Sequence, residues 1–337
     1  MGLRTGGTIK LGLSTREAYG RTLLALGREY PDLVVLDADL AKSTMTKLFA
    51  DAFPERFFDC GVAEQNMIGL AAGLASCGKL VFASSFAVFV PGRSFDQLRM
   101  SVAYSFANVK IASSHAGLTV GEDGASHQAI EDLALMRSLP GFVIVVPADE
   151  VATAWATRAA IEHIGPVYLR LGRPKHPLIY DEGDEFTLGK AVMLRDGPDA
   201  TIVANGRMMA EALLAREILH SKGLSVRVLD LHTVEPLDRE ALVDAARQTG
   251  AVVVAEEHLL SGGTGSAVAQ LLAEECPVPM EFVAIRQCYG QSGDPDGLLR
   301  KYGLTADDIV IAVEKAVGRK QAGTVHSLVF TAPDKET

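Results

Sequence analysis

A chain of 337 residues is longer than one hydrophobic core ordinarily serves, so two domains of roughly 100–200 residues each are the first expectation. With 48% hydrophobic and 22% charged residues, it reads as compact and globular rather than disordered or fibrous. A formal net charge of −10 with no run of Lys and Arg excludes nucleic acid as a partner, and no apolar stretch is long enough for a signal peptide or a membrane span.

In chain order, short β-branched runs at 33–36, 80–83, 109–112, 142–146 and 166–169 alternate with stretches of helical periodicity, the pattern of a parallel sheet with crossover helices. From 170 the text turns polar and rich in Gly and Pro, with an acidic run at 181–185, and a boundary is expected within 178–190. The same grammar then repeats, with apolar runs at 201–204, 226–229, 251–255 and 282–285. The expected fold class is therefore α/β, with two domains that are each a mostly parallel sheet flanked by helices. The first covers 8–178, the second 190–317, and 318–337 reads as a tail or partner contact with one apolar patch at 328–330. Cys60, Cys77, Cys276 and Cys288 include no CxxC pair and read as reduced thiols, so a cytoplasmic location is expected.

Ligands of an open parallel sheet collect beyond the carboxyl ends of its strands, so polar residues just after each run carry the most information. Asp39 and Ser43 follow the first run, Ser84 to Phe86 the second, His115 the third and Arg173 the fifth. Each alone is as readily a solvated loop residue; together they suggest a site. Glu64 opens a helix rich in Ala and Gly. There it either complements the helix dipole, worth only about 0.3–1 kcal/mol, or lies desolvated beneath a close contact that Gly69, Ala72 and Gly73 would permit. The run from Ser114 to Gln128 holds two histidines, acids and three glycines in one loop, a backbone able to approach a small polar ligand. A metal site there is disfavoured, because no HExxH spacing and no nearby Cys accompany it, and no metal ligand is expected in this chain. The glycine-rich turn at 261–266 lacks full GxGxxG spacing and reads as a tight turn, with anion binding at the helix start a minor alternative.

The longer motifs GVAEQNM (61–67), SSFAVFVPGRSFDQLRM (84–100) and SHAGLTVGEDGASHQ (114–128) resemble the transketolase family of thiamine diphosphate enzymes. The likeness runs from about residue 14 to 317, over that family's pyrimidine-binding and carboxyl-terminal domains, with softer echoes in the second half. It implies that Glu64 hydrogen-bonds the cofactor's pyrimidine nitrogen and promotes its imino tautomer. It implies that Phe86 and Phe89 pack against that ring and that Asp39 lies near the thiazolium. It further implies that Arg16, Ser43, His115 and Arg173 surround the terminal phosphate of a sugar phosphate, while Asp123 and His127 bind sugar hydroxyls and His127 assists proton transfer. One extra residue within 90–93 puts a third aromatic contact, from Phe95, in question.

The family's GDG motif with its following Asn, which grips the cofactor diphosphate and a magnesium or similar divalent cation, has no counterpart here. The resemblance thus implies a carboxyl-terminal subunit of a split transketolase, completed by a separate amino-terminal, diphosphate-binding subunit that holds the cation. A self-associating dimer core and an assembly of two chains of each kind are the corresponding expectation. The competing readings are the β subunit of a 2-oxo acid dehydrogenase, a deoxyxylulose phosphate synthase fragment, and a non-catalytic regulatory module.

Overall fold

The computed structural model describes residues 10–329, with side chains as far as Gly323. Its strands in chain order are β1 (Leu11–Ser14), β2 (Leu33–Asp37), β3 (Phe57–Asp59), β4 (Leu80–Phe86), β5 (Val109–Ser114), β6 (Val143–Val145) and β7 (Val167–Arg170). There follow β8 (Lys175–Pro177), β9 (Val192–Arg195), β10 (Ala200–Ala204), β11 (Val226–Asp230), β12 (Thr233–Glu235), β13 (Val252–Leu259) and β14 (Met280–Ile285). A seven-stranded sheet has the order β12-β6-β7-β5-β4-β2-β3, and a five-stranded sheet the order β14-β13-β10-β11-β9. Within each, the central strands run parallel, and β2, β5, β7, β10 and β11 are buried along their whole length. That burial on both faces is why they read as largely apolar runs, although β5 and β11 also bury Lys110 and Arg227. The protein is thus α/β, with two helix-flanked and mostly parallel sheets.

Two antiparallel edges carry no clear sequence signal. β9 closes the second sheet against β11, and β12, although it follows the second domain's β11, crosses to pair antiparallel with β6 of the first sheet. A third, two-stranded element pairs β1 with β8, matching Leu11 to Pro177 and Ser14 to Lys175. It sets the first turn of the helix Thr15–Glu29 beside residues 172–173, just after β7. The last helix, Ala306–Val329, carries the chain without interruption past 318, so the expected tail is helical to Val329. Residues 8–9 of the expected first domain, and 330–337 of the expected tail with Phe330 of its apolar patch, lie outside the described residues.

A buried polar brace joins the two halves behind the loop after β5. The Arg170 guanidinium grips Asp132 through Nε and Nη2 at 2.7 and 3.0 Å. Its Nη2 also donates to the carbonyls of Ala129 and Glu257 at 3.1 and 3.0 Å, and Tyr168 donates to Asp132 at 2.9 Å. Severing such a pair by removing one partner costs about 3–5 kcal/mol, because a charge is left buried alone. Glu257 accepts from the Thr119 N–H at 2.6 Å, and a Cβ on Gly117, whose φ is +81°, would fall 2.3 Å from its carboxylate. A glycine is required there by both conformation and space, and the loop is held in one shape by the second domain.

Candidate active site

Glu64 begins the helix Glu64–Ser76 with its carboxylate 4% exposed, and Arg93 Nη1 donates to its Oε1 at 2.9 Å. The outer face of that helix is open. Gln65, Asn66, Gly69, Leu70 and Gly73 are exposed, and a Cβ on Gly69 or Gly73 would meet nothing within 4 Å. The small residues that suggested close approach of another backbone therefore lie on a face with room for one.

From Glu64 the site continues as an aromatic wall. Arg93 stacks on Phe89 at 4.0 Å from the ring centre, Phe89 lies parallel to Phe86 at 5.6 Å, and Phe86 stacks on His115 at 3.7 Å. His127 meets Phe89 edge-on at 5.4 Å and Phe86 at 6.2 Å. Phe86 ends β4 and His115 follows β5, so the parallel register of β4 and β5 makes neighbours of two residues distant in sequence. His115 adopts φ +60°, a left-handed conformation that costs a non-glycine residue energy and that clusters at functional positions. Burial, then the charges of Arg16 and Arg173, then His127, push its imidazole down to about 3, so it is neutral at pH 7.

Beyond His115 lie the two arginines. Arg16 donates through Nη1 to the Ser43 carbonyl at 2.7 Å and through Nε to the Arg173 carbonyl at 3.3 Å. Arg173 Nη1 donates to Glu122 at 2.7 Å and also to the Val120 carbonyl. Burial and the Arg173 charge lower the Arg16 pKa, as expected where two cations are held close together. The β1–β8 pairing is what brings these residues, 157 positions apart, into contact.

No contact joins the remaining expected acids to these side chains among the described residues. Asp39 and Asp123 are exposed, and Asp39 also takes a left-handed backbone, φ +61°. The loop carrying Asp39 and Ser43 is organised by a residue that sequence reasoning missed, Asp37, whose fully buried carboxylate accepts from Leu40 N–H and from the hydroxyls of Thr44 and Thr46 at 2.6–2.8 Å. Burial raises its pKa to about 6 against those three bonds. An acid closing an all-apolar strand, with threonines seven and nine residues on, is the signal that could have found it. Phe95, whose contact with the cofactor ring the extra residue puts in question, packs half-buried against the apolar core under the sheet. Arg93, between Glu64 and Phe89, is the other omission.

The glycine-rich turn at 261–266 is occupied from within. Glu256 accepts from the N–H groups of Thr264 and Gly265, the first residues of the helix Thr264–Glu275, at 2.7 and 2.8 Å. An internal carboxylate thus sits where an external anion would bind a helix N-terminus. Among the described residues no group of three His, Cys, Asp or Glu side chains is arranged to hold a metal ion, and no helix is long and apolar enough to cross a membrane.

Comparison with known proteins gives matches along most of the chain. The family described as "Transketolase, pyrimidine binding domain" matches residues 12–177, and "Transketolase, C-terminal domain" matches 189–309. A Clostridium sp. protein named 6-deoxy-6-sulfo-D-fructose transketolase subunit SqwH is 46% identical over 90% of this chain and 95% of its own. Human transketolase is 38% identical over 89% of this chain, which spans only 48% of it. A solved structure described as a split gene transketolase, inactive beta4 tetramer, superposes with a TM-score of 0.86 at 53% identity, covering 92% of this chain and all of that one.

Proposed function

The chain belongs to the transketolase family, and from that premise we propose that it is the carboxyl-terminal subunit of a split, cytoplasmic transketolase that moves a two-carbon ketol unit between sugar phosphates. Residues 8–178 are the pyrimidine-binding domain in this reading, and 190–317 the carboxyl-terminal domain. The observation that carries it is the chain of contacts from a buried carboxylate, Glu64, through Arg93 to Phe89, Phe86 and His115, whose imidazole in turn feels the charges of Arg16 and Arg173.

These residues fit the pyrimidine end of thiamine diphosphate: a carboxylate shielded from water beside flat apolar faces suits a planar ring with a weakly basic nitrogen. A separate amino-terminal subunit would hold the diphosphate and a magnesium or similar divalent ion. When bound, the cofactor supplies an electron sink beside the ketose carbonyl. Glu64 holds and exchanges a proton at the ring nitrogen, and Phe86 and Phe89 fix the ring plane and exclude water. Arg16 and Arg173, with Ser43 and neutral His115, take the terminal phosphate through charge-assisted bonds of about 1.5–3 kcal/mol each. Asp123 and His127 position sugar hydroxyls, His127 moving a proton at the donor, while Asp39 lines the thiazolium side. The open face of Glu64–Ser76 would be covered by a second copy of this chain, giving two chains of each kind.

The test is reconstitution: copurify this chain with its companion subunit, determine the mass of the complex, and assay ketol transfer with added thiamine diphosphate and magnesium. A complex that released carbon dioxide from pyruvate but ignored xylulose 5-phosphate would be a 2-oxo acid dehydrogenase component instead. Failure of every companion to confer any activity would favour a regulatory module.

A further inference from the structure

Arg93 ends a four-residue helix, Val90–Arg93, and its side chain is 49% exposed, yet its head group makes two well-formed contacts. It bonds the Glu64 carboxylate at 2.9 Å and lies over the face of Phe89 at 4.0 Å. Those are the two groups that the proposed function assigns to the cofactor's pyrimidine. A guanidinium is a flat, delocalised amidine-like plate with N–H donors in its plane, and an aminopyrimidine presents much the same edge and face.

We propose that Arg93 is an internal stand-in for the pyrimidine ring: it occupies the ring's place on Glu64 and Phe89 in the cofactor-free protein and swings into solvent when the cofactor binds. The inference rests on the cofactor reading and adds a residue to it. Physical logic supports an exchange of this kind. A carboxylate as buried as Glu64 is costly without a partner, so some donor must satisfy it before the cofactor arrives. Arg93 does this reversibly, because half of its side chain already faces water and little hydration is recovered or lost in the swing. Its backbone stays put, since the Arg93 carbonyl accepts from Gln65 Nε2 at 2.9 Å. A permanent Arg93–Glu64 pair would instead compete with the proton that Glu64 must share with a ring nitrogen. The stand-in state therefore reduces the fraction of molecules ready to bind, which weakens apparent affinity in proportion.

The experiment is calorimetric titration of thiamine diphosphate into the reconstituted complex with wild-type chain, Arg93→Met and Arg93→Lys, with thermal unfolding of each cofactor-free chain as the folding control. Arg93→Met keeps the apolar stem and loses the plate, so it should bind about 2- to 10-fold more tightly, with Arg93→Lys between it and wild type. Should Arg93→Met not fold, the lysine variant decides alone: tighter binding than wild type upholds the stand-in, and equal or weaker binding overturns it. If wild type binds and Arg93→Met binds equally or less well, Arg93 is a fixed part of the holo site and the proposal is wrong while the cofactor reading stands. If the wild-type complex takes up no thiamine diphosphate, the cofactor reading itself falls and this proposal with it.

Discussion

Replacing Glu64 by alanine separates the two roles open to it. As a helix-start carboxylate it contributes only about 0.3–1 kcal/mol of stability and nothing to proton movement. As the group that shares a proton with the cofactor ring, its loss removes a positioned acid–base, an effect of about 10²–10⁴ in rate or roughly 2.7–5.5 kcal/mol of barrier. Folding should survive, because the partner left behind, Arg93, is half exposed and regains water rather than remaining a buried unpaired charge. The assay is deuterium exchange at C2 of bound thiamine diphosphate, quenched and read by proton NMR, in the assembled complex with cofactor retention measured in parallel. Glu64→Gln, which keeps the shape but cannot pass a proton, should be nearly as slow. An exchange rate unchanged in either variant, with cofactor still bound, would remove Glu64 from the chemistry.

Arg173→Ala should raise KM for phosphorylated substrates about 10- to 100-fold while affecting unphosphorylated sugars far less; equal effects on both would move the phosphate site elsewhere. Gly73→Leu places bulk where a Cβ meets nothing within 4 Å, so the fold should persist by circular dichroism while sedimentation shows weakened self-association. Glu256→Ala strips the partner from the N–H groups of Thr264 and Gly265 and should destabilise the second domain by about 2–4 kcal/mol, seen as a lower Tm. His232 is fully buried against Trp155 and Phe186, and burial pushes its pKa down to about 4. The unfolded chain takes up that proton near pH 6.5 and the folded one does not. The stability it confers is therefore complete above pH 6.5 and is lost as pH falls towards 4, up to about 3 kcal/mol in all. His232→Gln should flatten the dependence of urea midpoints on pH across that window.

Legibility followed the physics of each element. Most strands of the two large sheets announced themselves because burial demands apolar runs, and β2, β4, β5, β6, β7, β10, β11, β13 and the edge strand β14 all fall on the expected stretches. The short strands β1, β8, β9 and β12 did not, since pairing by only three or four residues at an edge leaves no periodicity to read. That is also why the crossing of β12 into the first sheet was invisible: it depends on where the chain returns in space. In the site, Arg16 and Arg173 could be placed together only through a resemblance, because their proximity is made by β1 and β8. Asp37 and Arg93 escaped for opposite reasons: Asp37 is hidden at the end of an apolar strand, whereas Arg93 has the sequence surroundings of an ordinary surface arginine.

A half-site of this kind faces a problem that a complete one does not. Its charged groups must be satisfied before cofactor or substrate comes, yet must remain available to them. Each is met within the chain by a partner that stays in touch with water: Glu64 by the half-exposed Arg93, and Arg173 by Glu122, whose side chain is 67% exposed. Arg16, by contrast, spends its hydrogen bonds on backbone carbonyls, which carry no formal charge, and so retains its charge for an incoming anion. Binding is then largely an exchange of partners. In the proposed reading a phosphate dianion would displace the single charge of Glu122 from Arg173 and also meet the charge of Arg16, so two arginines would favour a doubly charged ligand over the one carboxylate already present.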